Sequence, residues 1–181
     1  MTQFVILIIQ IIFFAGVIWS NLFFFKKSKI PNYYIYTIKI VGTILIVDNL
    51  YLSATDTDYS SWQYTTSLLL LGAANILFFW SIYINFYNPL HFAFTHLEKN
   101  YFKQLGPYKF IRHPIYASYT YSWIAGIVLH KSLFLTALTS LMVSLYYKAS
   151  MSEEQSLLSG PLKKQYLAYK KTTGLYWPKF F

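Results

Sequence analysis

Residues 115–147 read IYASYTYSWIAGIVLHKSLFLTALTSLMVSLYY, an apolar run of 33 residues whose basic positions are His130 and Lys131 in its middle. As one helix it would be about 50 Å long, far more than the roughly 30 Å of a hydrocarbon core. The run must therefore turn back on itself, and the polar pair supplies the hinge. Two antiparallel spans are expected, at about 115–129 and 132–150. The consequence is topological: Gly106 to His113, ahead of the hairpin, and Lys148 to Glu154, behind it, return to one membrane face.

Working outward, Phe4 to Phe25 is almost wholly apolar and would reach about 33 Å as a helix. Lys26, Lys27 and Lys29 follow it, and Pro31 stops the helix. A second span is expected at 33–52, with Lys39 and Asp48 close enough to its ends to snorkel. Ser53 to Gln63, with Asp56 and Asp58, reads as a loop, and a third span at 64–85 is closed by Asn88-Pro89. Leu90 to Phe110 mixes His91, His96, Lys99 and Lys103 with aromatics, which suits an interfacial segment. The expected fold class is all-α, an integral membrane bundle of about five transmembrane helices in a single domain, with a C-terminal cytoplasmic helical segment at 151–181.

Composition agrees. At 56% hydrophobic and 12% charged, the 181 residues offer too little polar surface for a soluble domain. The absence of cysteine excludes disulfides and thiolate-held metal centres. The net charge of +9 comes from lysines flanking apolar runs and forms no basic stripe, so nucleic acid is not the expected partner; membrane lipids with anionic headgroups are. Met1-Thr2-Gln3 carries no basic n-region, so Phe4–Phe25 is read as a retained helix. On the five-span reading every large basic cluster falls on one side, which places the N-terminus outside and the C-terminus in the cytoplasm. His91, His96 and His130 lack the spacing and the neighbouring carboxylates of a metal site, and no metal is expected.

Two motifs carry possible chemistry. In Gly106-Pro107-Tyr108-Lys109-Phe110-Ile111-Arg112-His113-Pro114-Ile115-Tyr116, one glycine and two prolines forbid a continuous helix and leave backbone groups able to face a ligand. Pro114 suits a first helical position, where the amide cluster together with Arg112 and His113 would receive a carboxylate or phosphate. The same residues also suit an interfacial turn with Arg112 on lipid phosphate. The second motif is Ser152-Glu153-Glu154-Gln155. Its adjacent carboxylates could hold an ammonium group or ribose hydroxyls. Alternatively, Ser152 and Gln155 match a capping box at a helix N-terminus.

The two motifs, the two spans between them, and a tail with Tyr166, Tyr169 and Pro178 together resemble the isoprenylcysteine carboxyl methyltransferase and phospholipid methyltransferase superfamily. The likeness covers residues 72–181. It implies a multi-span membrane methyltransferase that uses S-adenosylmethionine and acts on a lipid-like or prenylated acceptor. By that resemblance Gly106, Tyr108, His113, Pro114, Tyr116, Glu153 and Glu154 would enclose the cofactor under the C-terminal helix. Tyr108, Arg112 and His113 would orient the acceptor or remove a proton. The pattern departs in three places: an arginine that the superfamily carries a few residues before the acidic pair is here Lys148, followed by Ala149-Ser150-Met151; the residue after Tyr116 is Ala117 where glycine is common; and the Phe-Gly of the tail is displaced as Gly160-Pro161. Two other readings use the same residues, an NADPH-dependent membrane reductase related to sterol reductases and a non-catalytic membrane protein on this scaffold. The topology is open to direct test, because the chain has no cysteine of its own. Asp56→Cys and Lys164→Cys should react with a membrane-impermeant thiol reagent from opposite sides, and labelling of both from one side would overturn the five-span arrangement.

Overall fold

Each apolar run forms a helix, and the breaks fall at capping residues and at proline. The computed structural model describes residues 2–26, 33–56, 58–87, 90 and 102–179. Helix α1 (Thr2–Trp19) continues into a π-helical turn at Ser20–Phe24, and α2 spans Tyr33–Thr55. Helix α3 (Ser61–Asn85) starts at a capping box in which the Ser60 N–H donates to Gln63 Oε1 at 3.2 Å. After a 3-10 turn at Gly106–Lys109 comes α4 (Pro114–His130), with proline at its first position. Helix α5 (Leu133–Ser159) opens with Ser132 accepting from the Leu135 N–H, and α6 (Lys163–Thr172) ends the helical part. Among the described residues there is no strand, and an isolated bridge joins Ile111 to Gly174. Lys27, Lys29, Pro31, Asn88, Pro89 and the stretch 91–101, with His91, His96 and Lys99, lie outside the described residues.

The fold is all-α. Three segments, Phe4–Phe24, Tyr33–Thr55 and Ser61–Asn85, are long and apolar enough to cross a membrane, which makes the chain a membrane protein. The hairpin expected from the 33-residue run is present, with its turn at Lys131 in the left-handed conformation and the Lys131 N–H closing α4 on Ile127 O at 2.8 Å. Its arms are unequal. Helix α4 has 17 residues, whereas α5 has 27 and runs on past 150 to Ser159.

Helix α4 occupies the middle of the bundle, packed most heavily on α3 and also against α5 and α2. Its sequence explains this position, because Ala117, Ser118, Ser122, Ala125 and Gly126 are buried and small, allowing neighbouring backbones to come close. On the α3 side, Ser67 Oγ donates to Ala125 O at 2.9 Å and Gln63 Nε2 to Leu129 O at 2.8 Å. On the α2 side, Asn49 lies directly over Gly126. Around these contacts Phe13, Phe14, Leu45, Phe78, Trp123, Met142 and Tyr146 form the main core.

The ends of the bundle differ in character. At one end the Lys26 N–H donates to Leu90 O at 3.0 Å and Lys103 Nζ to Ile84 O at 2.8 Å, and the adjoining Phe102 packs on Tyr166 and Tyr169 of α6. At the other end His130 meets Asp56 at 3.2 Å and Ser53 at 3.1 Å, and Lys131 sits over the Trp62 ring.

Gly126 gives the closest test of this packing. A Cβ there would come within 1.9 Å of Asn49 Oδ1, whereas a Cβ on Gly72 would meet nothing within 4 Å. Gly126→Ala should cost about 1–3 kcal/mol through overpacking. Gly72→Ala should be neutral or slightly stabilising, since alanine is the better helix former. Thermal unfolding in detergent compares the two, and equal melting temperatures would refute the close approach of α2 to α4.

Candidate functional site

At the end of the bundle that carries α6, the loop from Phe110 to His113, the start of α4, the last third of α5, α6 and the residues after it converge. The residues after α6 form a strap. Gly174 N–H donates to Phe110 O at 3.1 Å, Arg112 N–H to Gly174 O at 2.9 Å, and His113 N–H to Leu175 O at 3.2 Å. These bonds correct one expectation from the sequence, because the amides of Arg112 and His113 face the strap and not a ligand. Buried backbone donors take the nearest available acceptor, and the C-terminal chain supplies it.

Glu154 lies at the centre, with its side chain 2% exposed. Arg112 Nε donates to its Oε1 at 2.7 Å and Lys170 Nζ to its Oε2 at 2.6 Å. The His113 ring is further off, with Nε2 3.5 Å from Oε1 and no well-formed hydrogen bond of its own although it is buried. Arg112 is anchored in turn, its NH1 donating to Thr173 O and, at 3.5 Å, to Lys170 O. Burial alone would raise the pKa of the Glu154 carboxyl, but His113, Lys170 and Arg112 outweigh it and hold it well below the usual carboxylate range.

The neighbouring Glu153 points elsewhere, accepting from Tyr116 OH at 2.8 Å. Successive residues on a helix project about 100° apart, so the acidic pair reaches two different partners. Both glutamates lie well inside α5. The capping-box reading of Ser152 and Gln155 therefore fails, as no helix begins there.

The other expected residues have separate surroundings. Gly106 sits at φ +57, where a side chain would be strained and would also collide with Ile84 and Trp80. Tyr108 is buried, accepts from Asn85 Nδ2 at 3.0 Å and uses its carbonyl to receive the Tyr169 hydroxyl. Pro114 begins α4. His113 stacks on Tyr116, Tyr116 stacks on Tyr146 at 5.4 Å, and the Tyr146 hydroxyl receives Trp123 Nε1, so aromatic rings lead from the charged cluster into the core. The site thus gathers Arg112, His113, Tyr116, Glu153 and Glu154 directly, while Gly106 packs on α3, Tyr108 joins Asn85 and Tyr169, and Pro114 starts the helix that carries Tyr116. Lys148, where the superfamily pattern has arginine, points away and lies over the Tyr34 ring of α2. No family model matches the chain, nor does any curated protein or solved structure.

Sequence reasoning missed Lys170, Thr173 and Tyr176. Tyr176 OH pairs with Ser150 Oγ at 2.9 Å and its carbonyl receives Tyr121 OH, which fastens the strap across α4 and α5. The one local signal was Tyr166 with Tyr169, three residues apart on α6 and both buried against Phe102.

Glu154 couples this assembly to pH. Its carboxyl ionises at a lower pH in the folded chain than the ordinary value of about 4.3. The stabilisation is therefore complete above about pH 5 and is lost as the pH falls below about 4 towards the folded value. Melting temperatures measured from neutral pH to about pH 3 should drop on the acid side, and Glu154→Gln should flatten that limb while lowering stability at neutral pH. An acid limb unchanged in Glu154→Gln would mean that other carboxylates produce it.

Proposed function

We propose that the chain is a five-span integral membrane methyltransferase, dependent on S-adenosylmethionine, that methylates a lipid-like or prenylated acceptor at the cytoplasmic interface. One observation carries the reading: two motifs about 40 residues apart in sequence meet side chain to side chain, through Arg112 with Glu154 and Tyr116 with Glu153. Neither contact is needed merely to turn a hairpin. The cofactor supplies, when bound, an electrophilic methyl group on a sulfonium.

The residues present suit such a ligand in kind. Its ammonium and ribose hydroxyls call for carboxylates, and Glu153 and Glu154 provide them; its carboxylate calls for cationic or neutral donors, and Arg112 and His113 provide those. The buried His113 Nε2 is held only loosely, 3.5 Å from Glu154 Oε1 and with no close hydrogen bond, which leaves it suited to a ligand acceptor. Tyr108, Arg112 and His113 would orient the acceptor, with His113 the group best suited to hold a departing proton. Catalysis of this type rests on positioning and on excluding water, and the strap over the site serves both. The lipid-like acceptor would reach the site sideways from the bilayer, along the aromatic wall of Tyr116 and Tyr146.

Purified protein in native lipid, incubated with methyl-labelled cofactor, should yield a labelled lipid-soluble product. Glu153→Gln, which keeps volume but removes a charge, should weaken S-adenosylhomocysteine binding about 10- to 150-fold, the loss of one charge-assisted hydrogen bond of about 1.5–3 kcal/mol. Absence of both labelled product and cofactor binding would favour the non-catalytic scaffold, and binding of NADPH instead would favour the reductase.

A further inference from the structure

The three groups around Glu154 are not equivalent. Arg112 is 8% exposed in its side chain and is tied to the backbone carbonyls of Lys170 and Thr173 as well as to the carboxylate. His113 is 9% exposed and stacked on Tyr116. Lys170 is 39% exposed, and its ammonium reaches the buried Oε2 from the solvent side at 2.6 Å. It belongs to a helix of ten residues that is seated by Tyr166 and Tyr169. A primary ammonium at the tip of a flexible, part-exposed chain therefore occupies one oxygen of a buried carboxylate, while the other oxygen is engaged by the buried arginine.

We infer that Lys170 is an internal placeholder: its ammonium stands where the α-ammonium of an amino-acid-bearing ligand binds Glu154 Oε2, and ligand binding expels it into solvent. The inference rests on the cofactor reading above and adds to it a residue and an order of events. The exchange is close to isosteric, one –NH3+ replacing another on the same oxygen. Glu154 never becomes an unpaired buried charge, because Arg112 stays on Oε1, so the large penalty for stranding such a charge is avoided. Expulsion costs Lys170 little, since its side chain is already more than a third exposed and regains rotamer freedom in water. Competition from within the chain lowers apparent ligand affinity in proportion to how fully the placeholder occupies its seat. A ligand with the adenosine and thioether but no amino-acid moiety offers no ammonium and gains nothing by displacing it.

The test uses the full chain in phosphatidylcholine nanodiscs, with S-adenosylhomocysteine and 5′-methylthioadenosine as probes. Reactivity of Lys170 towards an acylating reagent is read by mass spectrometry and binding by calorimetry. Saturating S-adenosylhomocysteine should raise Lys170 acylation at least several-fold, to the level of ligand-free Glu154→Gln, whereas 5′-methylthioadenosine should leave it unchanged. Lys170→Met should bind S-adenosylhomocysteine about 10-fold more tightly than wild type. Binding to wild type with Lys170 reactivity unchanged or reduced, or weaker binding by Lys170→Met, would overturn the placeholder and leave the cofactor reading intact. No binding by either wild type or Lys170→Met would sink the cofactor reading, and the placeholder with it. Binding by Lys170→Met alone would support both.

Discussion

A carboxylate buried as deeply as Glu154 costs several kcal/mol unless opposite charges and hydrogen bonds offset the loss of water. Everything at this end of the bundle follows from that requirement. Arg112 has to be inside, so the loop before α4 has to dip towards α5. The guanidinium then has donors left over, and the carbonyls of Lys170 and Thr173 accept from them. That in turn fixes the chain leaving α6, whose Gly174 and Leu175 carbonyls receive the amides of Arg112 and His113. Gly174 belongs where it is for the same reason, since a Cβ would run into the Trp177 carbonyl at 1.6 Å. Removing one partner of the pair would strand the other and cost about 3–5 kcal/mol.

The hairpin sets the distance over which this pairing is possible. Tyr116 faces Glu153, and seven residues further along α4 Trp123 faces Tyr146, seven residues back along α5. Two full turns of each helix thus keep the same antiparallel register. A slip of one residue would rotate both partners by about 100° and break both contacts together. The unusual length of α5 has the same cause. It must pass beyond the apolar part of the hairpin for Glu153 and Glu154 to meet residues that precede α4.

Features governed by length and local chemistry were legible in the sequence, and features governed by distant partners were not. A 33-residue apolar run cannot fit a membrane as one helix, whatever surrounds it, so the turn at His130-Lys131 could be read directly. Pro114 as the first residue of α4 was equally local. The acidic pair was ambiguous, because Ser152 and Gln155 have the spacing of a cap and nothing nearby says that α5 continues through them. The pairing of Arg112 and His113 amides with Gly174 and Leu175 spans about 60 residues and leaves no trace in either segment. Lys170 was one lysine among several in a basic tail. Length and hydropathy together single out three helices among the described residues; α4 is short, at 17 residues, and buries Ser118, Thr120 and Ser122, so the most enclosed helix is not the most apolar.

Polarity falls in steps across the site. From Glu154 and Arg112 the path leads to His113, stacked on Tyr116, then to Tyr146 and Trp123, and ends on Phe14, which stacks on Trp123 at 5.4 Å. The path runs from charged groups through imidazole and phenols to indole and phenyl, and each aromatic ring offers an apolar face. Tyr116 is the junction, since its hydroxyl is held by Glu153 while its ring lies against Tyr146. Such a gradient lets a charged, water-soluble group and an apolar one approach the same few atoms without either leaving its preferred surroundings. It also accounts for both glutamates lying near the C-terminal end of α5, beyond its apolar part. A carboxylate one turn deeper in α5 would lie among rings with no cation to meet it, and one turn shallower would lose the water-excluding strap that makes its interactions strong.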